Sequence, residues 1–319
     1  MKRTTSFMRG PYVKSLFLLV VIANLLHVHA AYAAACCASS AVSGIGRLNS
    51  WERAGIGLLS NYAMSVGRWD QAGHSTAFSG GYSEAEWRTD LWGQLRVAES
   101  WQLYARLPWV VGLRSAEGLG DHRGFGWGDA MIGGRWEALG IGERPGWPAI
   151  AVTAIVSAPT SRTAEEATDE LGADATGRGG WTTGIGVQIE KTRAPWFARL
   201  DAGLSIPLPF DRALSGATVR YGPLFQGGLL AGRELLADRL VLALQFTGET
   251  ETSMVSDGAV QPRTDASTYV TAVALSWRAS PEWTWMVNAS TDAAGHWLGA
   301  HNRPERWATT VAIRRGFLE

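Results

Sequence analysis

From Ser100 the chain reads SWQLYARLPWVV. Trp101, Leu103, Ala105, Leu107, Trp109 and Val111 fall on one parity, and Gln102, Tyr104 and Arg106 on the other. A side-chain period of two marks an extended strand with two unlike faces. The preceding stretch AEWRTDLWGQLRV repeats the pattern. Trp87, Thr89, Leu91, Gly93, Leu95 and Val97 oppose Glu86, Arg88, Asp90, Trp92, Gln94 and Arg96. The same alternation recurs in RAGIGLLSNYAMSVG, WTTGIGVQIEK, PWFARLDAGLSI, TYVTAVALSWR and EWTWMVNASTD. Each stretch spans ten residues or more, with one apolar face and one that carries charge. That length and polarity suit a strand crossing a bilayer around a polar interior.

The pattern predicts about twelve strands, at roughly 52–67, 84–98, 100–112, 127–139, 148–159, 180–191, 194–207, 218–232, 237–250, 267–279, 282–293 and 304–317. The links between them alternate in length through the whole chain. Links of about 10 to 20 residues are separated by links as short as Glu99-Ser100, Thr192-Arg193 and Ser280-Pro281. Outer-membrane barrels have short periplasmic turns and longer external loops. The expected fold is therefore all-β: an antiparallel transmembrane β-barrel of about twelve strands. Its termini are periplasmic, because the strand number is even. Trp101 and Trp109 share the outward face eight residues apart. At about 3.3 Å per residue and a tilt near 40°, they stand roughly 20 Å apart along the membrane normal. That is close to the height of the apolar band, so the pair marks its two aromatic girdles.

The start of the chain differs in kind. Lys2, Arg3, Arg9 and Lys14 precede the apolar run Ser15–Val28, and Ala31-Tyr32-Ala33 follows as a small-residue cleavage site. The run of about fourteen residues is short for a membrane-spanning helix, which needs about 20. The expected organisation is a signal peptide over 1–33, a periplasmic leader over 34–50 and the barrel over 51–319. The leader is read as disordered to about Asn49. Of the 319 residues, 29 are basic and 29 acidic. Removing the four basic residues at the start leaves a net charge of about −4, with no field for nucleic acid. Glycine is abundant at 38 and tryptophan at 16, as suits a membrane barrel better than a cytosolic enzyme. Cys36 and Cys37 are adjacent and make neither a disulfide framework nor a metal spacing. Lipid attachment there is an alternative, although the AAAC run lacks the usual leucine three places before the cysteine.

One stretch invites a different reading. GFGWGDAMIGGRWEALG, from Gly124 to Gly140, has the glycine content of a phosphate loop. Such a loop needs a strand before it and a helix after it. Here the alternation continues instead, with Ala130, Ile132, Gly134, Trp136 and Ala138 on one face and Asp129, Met131, Gly133, Arg135 and Glu137 on the other. Gly126 and Gly128 are read as the lead-in from an external loop. Gly126-Trp127-Gly128-Asp129 with Gly133, Arg135 and Trp136 form G-x-G-D-x-x-x-G-x-R-W. This resembles a motif of the outer-membrane proteins grouped as meta-pathway phenol-degradation proteins, often described as transporters. The resemblance implies a barrel channel for small, often aromatic or apolar compounds. The final strand WATTVAIRRGFLE resembles the C-terminal signal of outer-membrane barrels, with Leu318 and Glu319 following its Phe317.

Catalytic motifs are missing. Neither G-x-S-x-G nor H-E-x-x-H occurs. The mature chain has four histidines, His74, His122, His296 and His301, all in expected external loops. They would form a metal site only if the loops converge, so no metal and no other cofactor is expected. A rim hydrolase remains the minor alternative. The informative polar residues are the inward charges Arg88, Asp90, Arg96, Arg106, Asp129, Arg135, Glu137, Glu190, Arg199, Asp201, Arg220, Arg278, Asp292 and Arg314, and with them Arg53 and Glu86. A twelve-strand lumen lies between the filled eight-strand type and the open sixteen-strand type. Its charges either pair and close it, giving a structural or adhesive barrel, or line a narrow pore of mixed sign. The expected function is the pore: a non-enzymatic outer-membrane channel for passive passage of small molecules. Its expected partners are outer-membrane lipid, the solute and the barrel-assembly machinery, with no nucleic acid.

Overall fold

A strand that is apolar on one face and charged on the other is stable in a bilayer only if its backbone is paired on both edges and its charges are enclosed. The computed structural model, which describes residues 46–211, 216–236 and 239–318, meets both conditions with a closed barrel. The twelve wall strands are β1 (Glu52–Trp69), β2 (Ser83–Ala98), β3 (Trp101–Ala116), β4 (Ala130–Leu139), β5 (Ala149–Ala158), β6 (Thr182–Arg193), β7 (Trp196–Pro207), β8 (Leu224–Leu236), β9 (Leu240–Glu251), β10 (Ala266–Arg278), β11 (Trp283–Thr291) and β12 (Pro304–Leu318). Each pairs antiparallel with its sequence neighbours, and β12 returns to β1. At that seam Gly57 lies opposite Arg314 on one side and Trp92 on the other. The expected signal peptide and the two cysteines lie outside the described residues.

The outward parity carries exposed apolar side chains around the wall, including Ile56, Leu58, Leu91, Leu103, Ile132, Ile185, Leu229, Leu244, Val273 and Val311. Aromatic groups gather at two heights on this face. Near the periplasmic end Trp101 stacks on Trp136, with ring centroids 6.1 Å apart. Near the external end Trp109 meets Trp127 at 4.9 Å and Phe125 at 5.6 Å. Trp101 and Trp109 thus occupy the two ends of the apolar band. Among the described residues no helix is long and apolar enough to cross a membrane, so the crossing elements are strands.

Three departures from the sequence pattern matter for the interior. First, the wall rises higher on one side. Gly120–Trp127 is itself a strand, paired with the upper part of β3 from Trp109 to Ala116. His122 and Gly124 therefore belong to a wall extension and not to a loop. Second, β8 starts at Leu224, later than the alternation predicts. Thr218–Arg220 instead joins an external sheet with Phe210–Asp211, Val255–Ser256 and Ala259–Val260. Third, residues 46–50, counted from the sequence as leader, pack into the periplasmic mouth, where Leu48 and Asn49 are buried.

Candidate functional site

The interior is layered. At the periplasmic end the inward tuck of residues 46–50 is held by side chains from four strands. Gln102 Oε1 accepts from the Leu48 N–H at 3.1 Å, and Arg96 donates to the Asn49 carbonyl at 2.6 Å. Arg47 pairs with Glu137 at 2.6 Å. Glu52 and Arg314 form a bidentate pair with side chains 0% and 2% exposed, and the Asn49 N–H donates to Glu52 at 2.8 Å. Glu52, and not Arg53, faces the interior because a register irregularity between Glu52 and Ala54 reverses the local alternation. Opposite this polar group, Phe197, Leu230, Val241, Ala243 and Ala274 pack from β7 to β10.

The middle of the wall holds two charge groups. On β2 and β3, Asp90 accepts from Arg88 Nε at 2.9 Å and lies 3.7 Å from Arg106. On β4, β6 and β7, Arg135 reaches Glu137 at 3.5 Å and donates to Gln188 Oε1, while Arg199 pairs with Asp201 at 2.8 Å beside the buried Glu190. The aromatic side chains of this layer lie flat on the wall where the neighbouring strand offers a glycine. A Cβ built on Gly133 would stand 2.4 Å from the Tyr104 ring. Between the two groups lies a cavity of about 270 Å³ lined by Tyr104, Arg106, Met131, Arg135, Ile155 and Gln188, among others.

The external half is narrowed from within. The segment 159–181 between β5 and β6 bends into the lumen and lies on the inner face of the wall extension. A Cβ on Gly124 would fall 2.2 Å from the Asp174 nitrogen, and one on Gly112 would fall 2.2 Å from the Ala173 carbonyl oxygen. These positions must lack a side chain for the backbone to approach that closely. Asp129 anchors the segment by accepting from the Ser161 N–H and hydroxyl at 3.2 and 2.6 Å and from the Arg178 N–H at 3.4 Å. The Thr176 hydroxyl donates to the Trp127 carbonyl at 2.6 Å. Within the segment, burial pushes the Asp174 carboxyl up. Hydrogen bonds from the Thr168 N–H and hydroxyl, the Asp169 N–H and Arg162 outweigh it, and hold the group well below the usual carboxylate range.

Arg178 then crosses the lumen. It makes a bidentate pair with Glu251 at 2.7 and 2.9 Å, and its guanidinium sits 5.1 Å from the centre of the Tyr221 ring. Arg303 donates to the same carboxylate from the other side. Arg178 lines both an outer vestibule of about 230 Å³ and an inner chamber of about 320 Å³. No other residue is common to the two linings. The chamber is walled by Asn61, Glu249, Asp292, Arg303 and Arg306 among others. Asp292 accepts from the Arg306 N–H at 2.7 Å, and burial raises its carboxyl to about 6.

Of the charges expected inside, Arg88, Asp90, Arg96, Arg106, Arg135, Glu137, Glu190, Arg199, Asp201 and Arg314 stand on inward parities of the wall, and Asp129 and Asp292 at its outer rim. Arg278 closes β10 at the periplasmic end, half-buried, where its N–H donates to the Arg239 carbonyl at 2.7 Å. Arg220 is exposed in the external sheet and lines none of these spaces, because its strand pairs with Val255 outside the wall. The alternation missed Arg47, Glu52, Arg178, Glu251 and Arg303. Four of these lie at strand ends or in links, where a period of two carries no direction, and Glu52 follows the register irregularity.

The four histidines do not gather. Each meets its own carboxylate: His74 with Asp70, His122 with Asp169, His296 with Glu305 and His301 with Asp265. Among the described residues no group of three or more His, Cys, Asp or Glu side chains is arranged to hold a metal. His301 also lies 2.8 Å from the Ser267 hydroxyl, giving a Ser267–His301–Asp265 line at the external rim. Ser267 is buried, and its hydroxyl is within 3.0 Å of the Gly299 carbonyl as well.

No family model matches the chain, and no curated protein sequence matches it. Solved structures do. The COG4313 outer membrane channel from Pseudomonas putida F1 aligns with a TM-score of 0.66 at 17% identity, covering 85% of this chain and 99% of that one. The NanC porin aligns with a TM-score of 0.50 at 9% identity, covering 82% of this chain and 100% of that one. At such identities the likeness is one of fold, and the resemblance to phenol-degradation proteins rests on its motif alone. What the chain shares with these structures is the closed antiparallel barrel of the bacterial outer membrane.

Proposed function

We propose that the protein is a narrow channel of the bacterial outer membrane for passive passage of small molecules, with the segment 159–181 as its constriction. The observation that carries this reading is the stepped interior. Vestibule and chamber meet at the single side chain of Arg178, and a further cavity lies on the inner face of the wall between Tyr104 and Gln226. A purely structural barrel has no need of such spaces and would fill them with side chains. Two solved structures of like fold, at TM-scores of 0.66 and 0.50, are a channel and a porin, which supports the same reading. The mixed charges of the wall favour small solutes of weak charge selectivity, and the motif resemblance extends the range to aromatic and apolar compounds. In this reading the chain is exported by its signal peptide, inserted by the barrel-assembly machinery, surrounded by lipid and not an enzyme. The test is single-channel recording in planar bilayers, with swelling of proteoliposomes in small sugars. Current and swelling are expected, and silence in both assays leaves the closed structural barrel instead.

One observation favours a second reading. The Ser267–His301–Asp265 line has the order of a hydrolytic triad. Against it, the serine proton has the Gly299 carbonyl as a competing acceptor, and the residue is buried. Ester hydrolysis by the refolded barrel that disappears in Ser267→Ala would revive the enzyme. Equal background in both proteins removes it.

A further inference from the structure

The wall cavity has a charge pattern that the channel reading does not require. Asp90 and Glu137 are each shared by two arginines, and in both cases the arginine facing the cavity is the more distant. Asp90 lies 2.9 Å from Arg88 but 3.7 Å from Arg106. Glu137 lies 2.6 Å from Arg47 but 3.5 Å from Arg135. Glu190 is also within electrostatic reach of Arg135, yet it is buried and does not line the space. No carboxylate is among the cavity's lining side chains, whereas Arg106 and Arg135 both are. Arg106 Nε has no hydrogen-bond partner among the described residues. The Arg106 guanidinium, 29% exposed and 3.7 Å from its nearest carboxylate, keeps hydrogen-bonding capacity that a ligand oxygen in the cavity can take up.

The rest of the lining has a different character. Met131 and Ile155 contribute apolar surface, and the Tyr104 ring is held flat against Gly133. At about 270 Å³ the space lies just below the usual range of ligand pockets, which begins near 300 Å³, so it suits only a small ligand. We propose that this cavity is a binding site for a small organic carboxylate with a compact apolar body. Arg106 and Arg135 take the carboxylate, and Tyr104, Met131 and Ile155 take the body. The site gives the route a preference for anions of this size over neutral molecules of the same shape. As a statement about transported solutes it rests on the channel reading.

The experiment titrates the full refolded barrel with benzoate and with benzamide, its neutral isostere, by calorimetry. Benzoate is expected to bind and benzamide not. Arg106→Gln should weaken benzoate by about tenfold or more, the scale of a lost charge-assisted hydrogen bond. Ile155→Trp, which fills the cavity without touching a charge, should abolish binding. The wild-type comparison needs no variant, so a misfolded mutant does not spare the idea. Equal binding of benzamide, or no binding of benzoate, overturns it. Potassium chloride conductance is recorded on the same samples. A barrel that conducts without distinguishing the two ligands loses the site alone. A barrel that binds benzoate but never conducts loses the transport reading and keeps the site.

Discussion

Replacing Arg178 by alanine tests the constriction directly. Its guanidinium makes two hydrogen bonds to Glu251, at 2.7 and 2.9 Å, and rests on Tyr221. The Arg178 side chain is 41% exposed, so solvent screens the pair. Exposed ion pairs contribute about 0.2–1 kcal/mol, and an exposed cation–π contact about 0.5–1 kcal/mol. Together the crossing strut is worth about 1–2 kcal/mol, or roughly a tenfold change in the balance between strut in place and strut released. Glu251 keeps Arg303 in the variant, so no buried carboxylate is left unpaired and the barrel itself should survive. The assay is single-channel recording at low salt. Arg178→Ala should raise the open fraction about tenfold, and Arg178→Lys, which keeps the charge but loses the planar fork, should fall between. High salt should move the wild type in the same direction, because the pair is partly exposed. Wild-type openings in Arg178→Ala, at an unchanged gel shift between unheated and boiled samples, would refute the constriction.

Three other perturbations separate the layers of the interior. Glu52→Gln should leave Arg314 buried beside a neutral group and lower stability by about 3–5 kcal/mol, read as an earlier loss of the gel shift on heating, whereas the paired change Glu52→Leu with Arg314→Met should lose much less. Gly124→Val sets a side chain where Asp174 now lies, so it should drive the segment 159–181 from the lumen and expose it to cleavage by added protease; protection equal to wild type would contradict the packing. Asp292 is raised to about 6 from 3.8, so the folded barrel holds this proton more tightly than the unfolded chain, and stability should fall as pH rises from about 4 to about 6. Asp292→Asn should flatten that part of the profile of thermal unfolding against pH, and a profile that keeps its slope there assigns it to another group.

The wall was readable because lipid and lumen impose opposite demands on alternate residues, and that demand is local. Trp101 and Trp109 needed nothing beyond their own strand to be placed. The constriction was not readable, because Arg178 and Glu251 lie 73 residues apart and meet only when a loop folds inward. Arg220 shows the converse failure. Thr218 and Arg220 alternate with Val219 as a wall strand would, yet they pair in an external sheet, and β8 begins only after Gly222 and Pro223. The Gly124 stretch did hold a usable signal. Gly124, Gly126 and Gly128 fall on one parity, so they present a bare inner face. A lead-in loop leaves that spacing unexplained, and a backbone lying against it does not.

The pair Glu52–Arg314 joins residues 262 apart in sequence across the seam where the barrel closes. It bridges the first and the last wall strand, so it is made only where the sheet closes on itself. A slip of β12 by one residue against β1 would turn Arg314 outward, into the hydrocarbon. An arginine there costs about 2–4 kcal/mol near the bilayer midplane and less toward the interface. The same residue that latches the correct register at the seam thus penalises the neighbouring ones.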